Sequence, residues 1–399
     1  MSPPVSVYLD HAAATPLDPE VAAAIAAAQT VAHANPSSQH SLGRAARSML
    51  EDARDRIVAV LGGRSGPAHR DRLVFTSGAS EANHLAILGM AAAAPAPGRC
   101  FWSRRDHASS GSAVQALVRR GWSLHEATLD PVDGTAAAAL VVAACAEDAN
   151  RPQIASLTFV CGQTGSIEDL AAVVARPFAA GRHPLLVHID ATQAAGLMAI
   201  DFQALPAATL SLAPHKFGGP RGIGGLLIRG DVAIEPVQAG TQEQGLRGGT
   251  EPVPLAVGFA RAMELASADR EQAARRLAGL RDRLEGKLLN VARDAGIPAV
   301  AIAAGAIRRC PHIATLAFPG FDRQALAMAA DLAGVCLATG TACASGSSEP
   351  APALVAMGLA PDLVRSTVRL SVGRTTTEAD IDQAVARLVP LLTTRFSRG

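Results

Sequence analysis

The stretch that most constrains this chain runs from Leu185 to Gly225, LLVHIDATQAAGLMAIDFQALPAATLSLAPHKFGGPRGIGG. Its apolar opening, Leu185-Leu186-Val187, ends in His188-Ile189-Asp190 and reads as a buried parallel strand with a carboxylate at its C-terminal end. A second strand-like run, Thr209 to Ala213, delivers His215-Lys216 into a glycine-rich turn. Ligands of open α/β sheets sit beyond the C-terminal ends of strands, so one acid and one lysine emerge where a ligand would lie. Taken alone, Asp190 is equally a helix cap and Lys216 a surface residue of a loop.

An acid and a lysine so placed are what pyridoxal phosphate requires. Its aldehyde is held by a lysine as a Schiff base, and its ring nitrogen stays protonated beside a carboxylate so that the ring can take up electrons.

The rest of the chain narrows the choice of fold. Its 399 residues exceed one ordinary core and suggest a large domain plus a smaller one. With 49% hydrophobic residues, 18% charged and a formal net charge of +1, the chain is globular and lacks the basic footprint of a nucleic-acid binder. Six cysteines are scattered without CxxC or Cys/His spacing, which argues for neither a disulfide framework nor a metal site. The N-terminus has no signal-peptide pattern and no apolar run is long enough to span a bilayer, so a cytoplasmic protein without membrane contact is expected.

In chain order, Val5 to Leu9 reads as a short strand and Asp10 to Pro16 as a loop. Asp18 and Pro19 start an alanine-rich helix, Ala34 to His40 is a polar turn, and Ser41 to Leu61 is a helix. Arg72 to Thr76 is a strand that turns through Ser77-Gly78-Ala79-Ser80 into a helix, an arrangement that offers backbone N–H groups to a phosphate. His107 follows a strand at Cys100 to Ser103 and could stack on an aromatic cofactor or simply cap a helix. A buried helix is expected around Ala136 to Ala139, and a strand from Ile154 to Val160 ends in Cys161-Gly162-Gln163-Thr164-Gly165. The Gly-rich segment Gln238 to Glu251 contains Arg247 and Thr250. One long helix, Leu255 to about Ala295, should connect to the second domain, where Cys343 sits in a Gly/Ser-rich loop and Arg369 on a strand. The expected division is an N-terminal segment, 1–17, associated with the small domain, a large domain, 18–256, and a small domain, 257–399.

YLDHAAATPLDPEV, ANPSS, FTSGASEAN, the His107 region, VHIDATQAAG, HKFGGPRGIG, QEQGLRGGT, TGTACASGS and VRLSVGRTT occur in an order and spacing that resemble the cysteine desulfurases of the NifS/IscS type, within the class V aminotransferase group of fold-type I pyridoxal-phosphate enzymes. The resemblance covers nearly the whole chain. It implies an α/β fold: a large domain with a mainly parallel sheet wrapped by helices, plus a smaller α/β C-terminal domain. It implies that Lys216 holds the cofactor, Asp190 pairs with the pyridinium nitrogen, Gln193 bonds the phenolic oxygen and His107 stacks on the ring. Ala79, Ser80 and His215 would fix the phosphate, Thr250 would reach the phosphate of a neighbouring subunit in a homodimer, and Asn35 and Arg369 would meet the substrate. Cys343 would take sulfur from L-cysteine as a persulfide and pass it to an acceptor or scaffold protein, as in iron-sulfur cluster assembly.

The chain departs from that pattern at three places. Gly162 stands where an Asn facing the cofactor is usual, Ala213-Pro214 lacks the serine before His-Lys, and Ala351-Pro352-Ala353 lacks the usual Ser-His. Two alternatives stay open on sequence grounds: a related lyase or aminotransferase, such as a selenocysteine or cystine lyase, and a degenerate homologue acting as a sulfur-transfer scaffold.

Overall fold

The computed structural model describes residues 6–64, 70–136, 151–170, 185–303, 305, 308–340 and 349–393. Cys343 with most of its loop, and the alanine run after Ala136, lie outside the described residues.

The first half of the chain runs β1 (Val7–Tyr8), α1 (Pro19–Val31), α2 (Ser41–Val60), β2 (Arg72–Thr76), α3 (Ala79–Ala92), β3 (Arg99–Trp102), α4 (Ala108–Arg119), β4 (Ser123–Glu126), β5 (Gln153–Thr158), β6 (Leu185–Asp190), β7 (Thr209–Leu212) and β8 (Gly224–Ile228). Seven strands form one sheet in the order β2-β8-β7-β6-β5-β3-β4. β8 pairs antiparallel with both β2 and β7, and the remaining pairs are parallel. Reading Gly218 to Gly225 only as a turn missed β8: its glycines and leucines carry no alternation, because both faces of a central strand are covered.

That double covering is visible residue by residue. Leu73 and Phe75 of β2 face one hydrophobic cluster while Val74 faces another, and β6 likewise sends Val187 and Ile189 one way and Leu186 the other. Helices α3 and α4 fill the second face, and α1 and α2 stand with a later helix on the first.

The chain continues as α5 (Val253–Ala268), α6 (Arg270–Asp294), β9 (Val300–Ala301), β10 (Ile313–Ala317), α7 (Arg323–Leu332), β11 (Val335–Cys336), α8 (Pro352–Ala356), α9 (Pro361–Arg365), β12 (Thr367–Ser371) and α10 (Glu378–Thr393). The single long helix expected from Leu255 to Ala295 is therefore two, broken at Asp269. Phe259, Met263 and Ala266 of α5 bury in the core of the large sheet, whereas Leu277, Leu280, Leu284 and Leu288 of α6 bury in a separate core with α7, α10 and β12. The apolar stripes of the two helices thus serve different cores on either side of Asp269.

β1 pairs in parallel with β11, Val7 opposite Val335, and Val7 and Leu9 bury in the second core. α10 opens with a capping box: Thr377 N donates to Asp380 Oδ2 at 2.8 Å and Asp380 N to Thr377 Oγ1 at 3.1 Å.

Candidate active site

Since β2, β3, β5, β6 and β7 run parallel, their C-terminal ends share one edge of the sheet, and the polar residues that follow them gather there. Asp190 is the last residue of β6 and is buried. Its Oδ1 accepts from Thr192 N and its Oδ2 from Asn83 Nδ2, both at 2.9 Å. Asn83, on α3, also donates to Ser109 Oγ at 3.0 Å, and its Oδ1 meets His188 Nε2 at 3.0 Å. The other ring nitrogen of His188 lies 2.9 Å from Thr209 Oγ1.

This chain of bonds fixes the protonation states. Asn83 Oδ1 can only accept, so His188 carries its proton on Nε2 and takes the Thr209 hydroxyl proton at Nδ1. Burial pushes the His188 pKa down to about 4, so the ring is neutral beside Asp190. Ser109 extends the chain to His107, whose Nδ1 accepts from Ser109 N at 3.2 Å and lies 2.7 Å from Ser109 Oγ. His107 therefore caps α4 through Nδ1.

Lys216 is delivered by a short 3-10 turn, Pro214–Lys216, directly after β7. Its Nζ donates to Ala12 O at 2.7 Å and Ala13 O at 2.8 Å. Thr15 clamps the turn: its N–H donates to His215 O at 2.8 Å and its Oγ1 accepts from Gly218 N at 2.8 Å. His215 is half-buried, and that burial, with Lys216 and Arg221 nearby, pushes its pKa down to about 4. Gln193 Nε2 donates to the same Ala12 O at 2.8 Å.

Arg369 lies on β12 and is 4% exposed. Its Nη2 donates to Asp10 Oδ1 at 2.8 Å, and its Nη1 to Gly162 O at 2.8 Å and Gly340 O at 3.2 Å. Its Nε has no hydrogen-bond partner among the described residues. A guanidinium has five N–H donors, so Nε–H and one Nη2–H have no acceptor among the described residues.

The hub of the site is thus Asp10–Ala13, read from sequence only as a loop: it is bonded to Lys216, Gln193 and Arg369 at once. Next to Lys216 the seam between these cores encloses a cavity of about 90 Å³, with His11, Thr15, Leu277 and His312 among its walls.

Ala79 and Ser80 begin α3, whose N-cap, Gly78, makes no side-chain cap bond, so the first N–H groups and the positive end of the helix dipole face the shared edge. Gly162 leaves room beside Gln193: a Cβ there would lie 3.4 Å from Gln193 Nε2. Thr250 is exposed on the Gly-rich loop. Asn35 is exposed as well, and its Oδ1 accepts from Ser37 N at 2.8 Å within its own turn. Asn83, His188, Ser109 and His312 are site residues that pattern reading missed. Asn83 and His188 lay inside the motifs FTSGASEAN and VHIDATQAAG without being singled out, while Ser109 and His312 carried no signal.

These residues fit pyridoxal phosphate: a buried, doubly bonded carboxylate for the ring nitrogen, a lysine amine one strand away, and a helix N-terminus for the phosphate.

Comparison with known proteins follows the same lines. The family model for class-V aminotransferases matches residues 7–384. An IscS-like cysteine desulfurase of Mycobacterium tuberculosis is 35% identical over 95% of this chain and 94% of its own length. A cysteine desulfurase of Cereibacter sphaeroides is 34% identical over 97% and 95%. Among solved structures, a NifS-like protein superposes with a TM-score of 0.86 at 25% identity, covering 98% of this chain and all of its own (100%). SspA in complex with cysteine gives 0.73 at 26% identity, covering 93% and 99%.

Proposed function

The chain belongs to the class-V aminotransferase family, among its cysteine desulfurases, and from that premise we propose that it converts L-cysteine to L-alanine and leaves the sulfur as a persulfide on Cys343. The sulfur balance is simple: the C–S bond of cysteine breaks, an S–S bond forms to the Cys343 thiol, and the β-carbon gains a proton.

Lys216 would hold pyridoxal phosphate, Asp190 its ring nitrogen, Gln193 its phenolic oxygen, and Ala79, Ser80 and His215 the phosphate. When bound, the cofactor supplies the electron sink that makes the α-proton of an amino acid removable. The protein's own groups do the rest. Asp190 is held in place by two N–H donors, while neutral His188 adds no competing charge. Lys216 carries the α-proton at Nζ, and Arg369 orients the substrate carboxylate with its two remaining donors. His107 would stack on the ring, with its Nδ1 engaged by Ser109 N and its Nε2 bearing the proton. Thr250 of a second copy would complete the phosphate site in a homodimer, and an acceptor protein would collect the sulfur.

The observation that supports this reading is the convergence of Lys216, Gln193 and Arg369 on Asp10–Ala13, where an amine, an amide and a guanidinium meet. Purified protein with pyridoxal phosphate should show a visible absorption band that Lys216→Ala removes. Cysteine should yield alanine and a dithiothreitol-labile mass gain of one sulfur on the Cys343 peptide. If Cys343→Ser, with dithiothreitol present as reductant, makes alanine and free sulfide at the wild-type rate, the persulfide step fails and a lyase takes its place.

A further inference from the structure

Gln193 is gripped from two directions. Its Nε2 donates to Ala12 O, and because a carbonyl only accepts, that bond fixes which end of the amide is nitrogen. Oε1 therefore faces His312 Nε2, 3.3 Å away, and since an amide oxygen also only accepts, His312 must carry a proton there. His312 is buried immediately before β10, and its Nδ1 has no hydrogen-bond partner among the described residues. Burial, with Arg369, His11 and Lys216 close by, pushes its pKa down to about 3, so the ring stays a neutral donor across the working pH range.

The third neighbour of Gln193 is Gly162. Space for a side chain exists there, at ordinary contact distance from Nε2, but glycine has none to offer. Ala12 O alone would leave Oε1 a part-buried acceptor without a protein donor, a loss that offsets much of what the Ala12 bond gains.

The geometry points to His312 as a positioning residue that keeps the Gln193 amide from turning over, so that its second Nε2–H is presented to the phenolic oxygen of the cofactor, a constraint that residue 162 does not supply in this chain. The inference rests on the desulfurase reading and on Gln193 as that donor. A turned amide would set Oε1 against Ala12 O and against the phenolate, acceptor facing acceptor.

The test is the pH titration of the visible band of bound pyridoxal phosphate. A donor on the phenolic oxygen draws off charge that otherwise holds the proton of the adjacent cofactor nitrogen, so losing it should raise the midpoint by about 0.5–1 pH unit. His312→Phe should show that rise, with His312→Leu in its place if the phenyl variant does not fold. His312→Gln, which retains a donor, should restore the wild-type midpoint. In Gln193→Leu the same rise should appear, and adding His312→Phe should shift it no further, a non-additivity that general loosening of the fold would not produce. A His312→Phe midpoint within about 0.1 unit of wild type, or shifts that simply add, would overturn the role of His312 alone. A wild type that never gains a visible band would overturn the desulfurase reading and this inference with it.

Discussion

Arg369 shows what a single side chain decides. Three of its donors are committed to Gly162 O, Gly340 O and Asp10, which hold the guanidinium plane still, and two have no acceptor among the described residues. Lysine would keep the charge but lose the fork, so Arg369→Lys should raise the KM for cysteine roughly 10- to 100-fold, about one to two bidentate bonds' worth, while the visible cofactor band stays. Steady-state kinetics beside an absorption spectrum checks this, and an unchanged KM would take Arg369 out of the substrate site. Asp190, Lys216 and Arg369 were legible in sequence because each stands on a strand or at its end, where local pattern and chemistry coincide. Asn83 and His188 were not: His188 interrupts an apolar run with no visible reason, and its reason, an amide from α3, is far away in the chain. Asp10–Ala13 escaped for the same cause, since two of its four residues act through backbone carbonyls, which carry no signature in sequence.

Among the elements, the β2–α3 turn depends on its neighbour more than on its own residues. β8 begins at Gly224, and a Cβ there would sit 2.5 Å from the carbonyl carbon of Gly78, which opens α3. Backbone cannot move aside as a flexible side chain can, so Gly224→Ala should push the helix N-terminus off its place, costing about 1–3 kcal/mol and weakening cofactor retention. Gly78 itself is different: its φ of 166° is extended backbone and a Cβ on it meets nothing within 4 Å, so Gly78→Ala should leave the melting temperature unchanged. Melting curves with and without pyridoxal phosphate separate the two variants, and equal melting temperatures would refute the contact. Periodicity found most helices and strands here but could not place β8 or the break at Asp269. A strand covered on both faces does not alternate, and the stripes of α5 and α6 run on in register although they serve different cores.

The molecule as a whole packs three hydrophobic clusters, two on the faces of the large sheet and one around the C-terminal strands and helices. Segments that cross between them join the clusters, and the buried and half-buried histidines make that union sensitive to acid. His11 and His312 line the seam cavity, while His188 and His215 sit behind Asp190 and Lys216. Burial is the leading cause in each case and pushes His11, His188 and His215 to about 4 and His312 to about 3. An unfolded histidine titrates near 6.5. Between about pH 6.5 and 4 the unfolded chain thus binds protons that the folded chain refuses, so stability is fully present above 6.5 and falls with pH through that window by about 1.4 kcal/mol per pH unit for each proton. Asp106 opposes one of them. It accepts from Ser156 Oγ and Thr158 N at 3.0 Å each, burial raises its pKa to about 7, and its carboxyl therefore gains a proton in the folded state before it does in the unfolded one. The net deficit is about three protons, so the urea midpoint should be nearly level from pH 8 to 7 and drop steeply from 6.5 towards 4. Gln fills much of the volume of His without titrating, so His11→Gln and His312→Gln should each flatten the drop by about one proton, and the double variant by about two. A double variant whose midpoint falls as steeply as that of the wild type would move the acid sensitivity away from the seam.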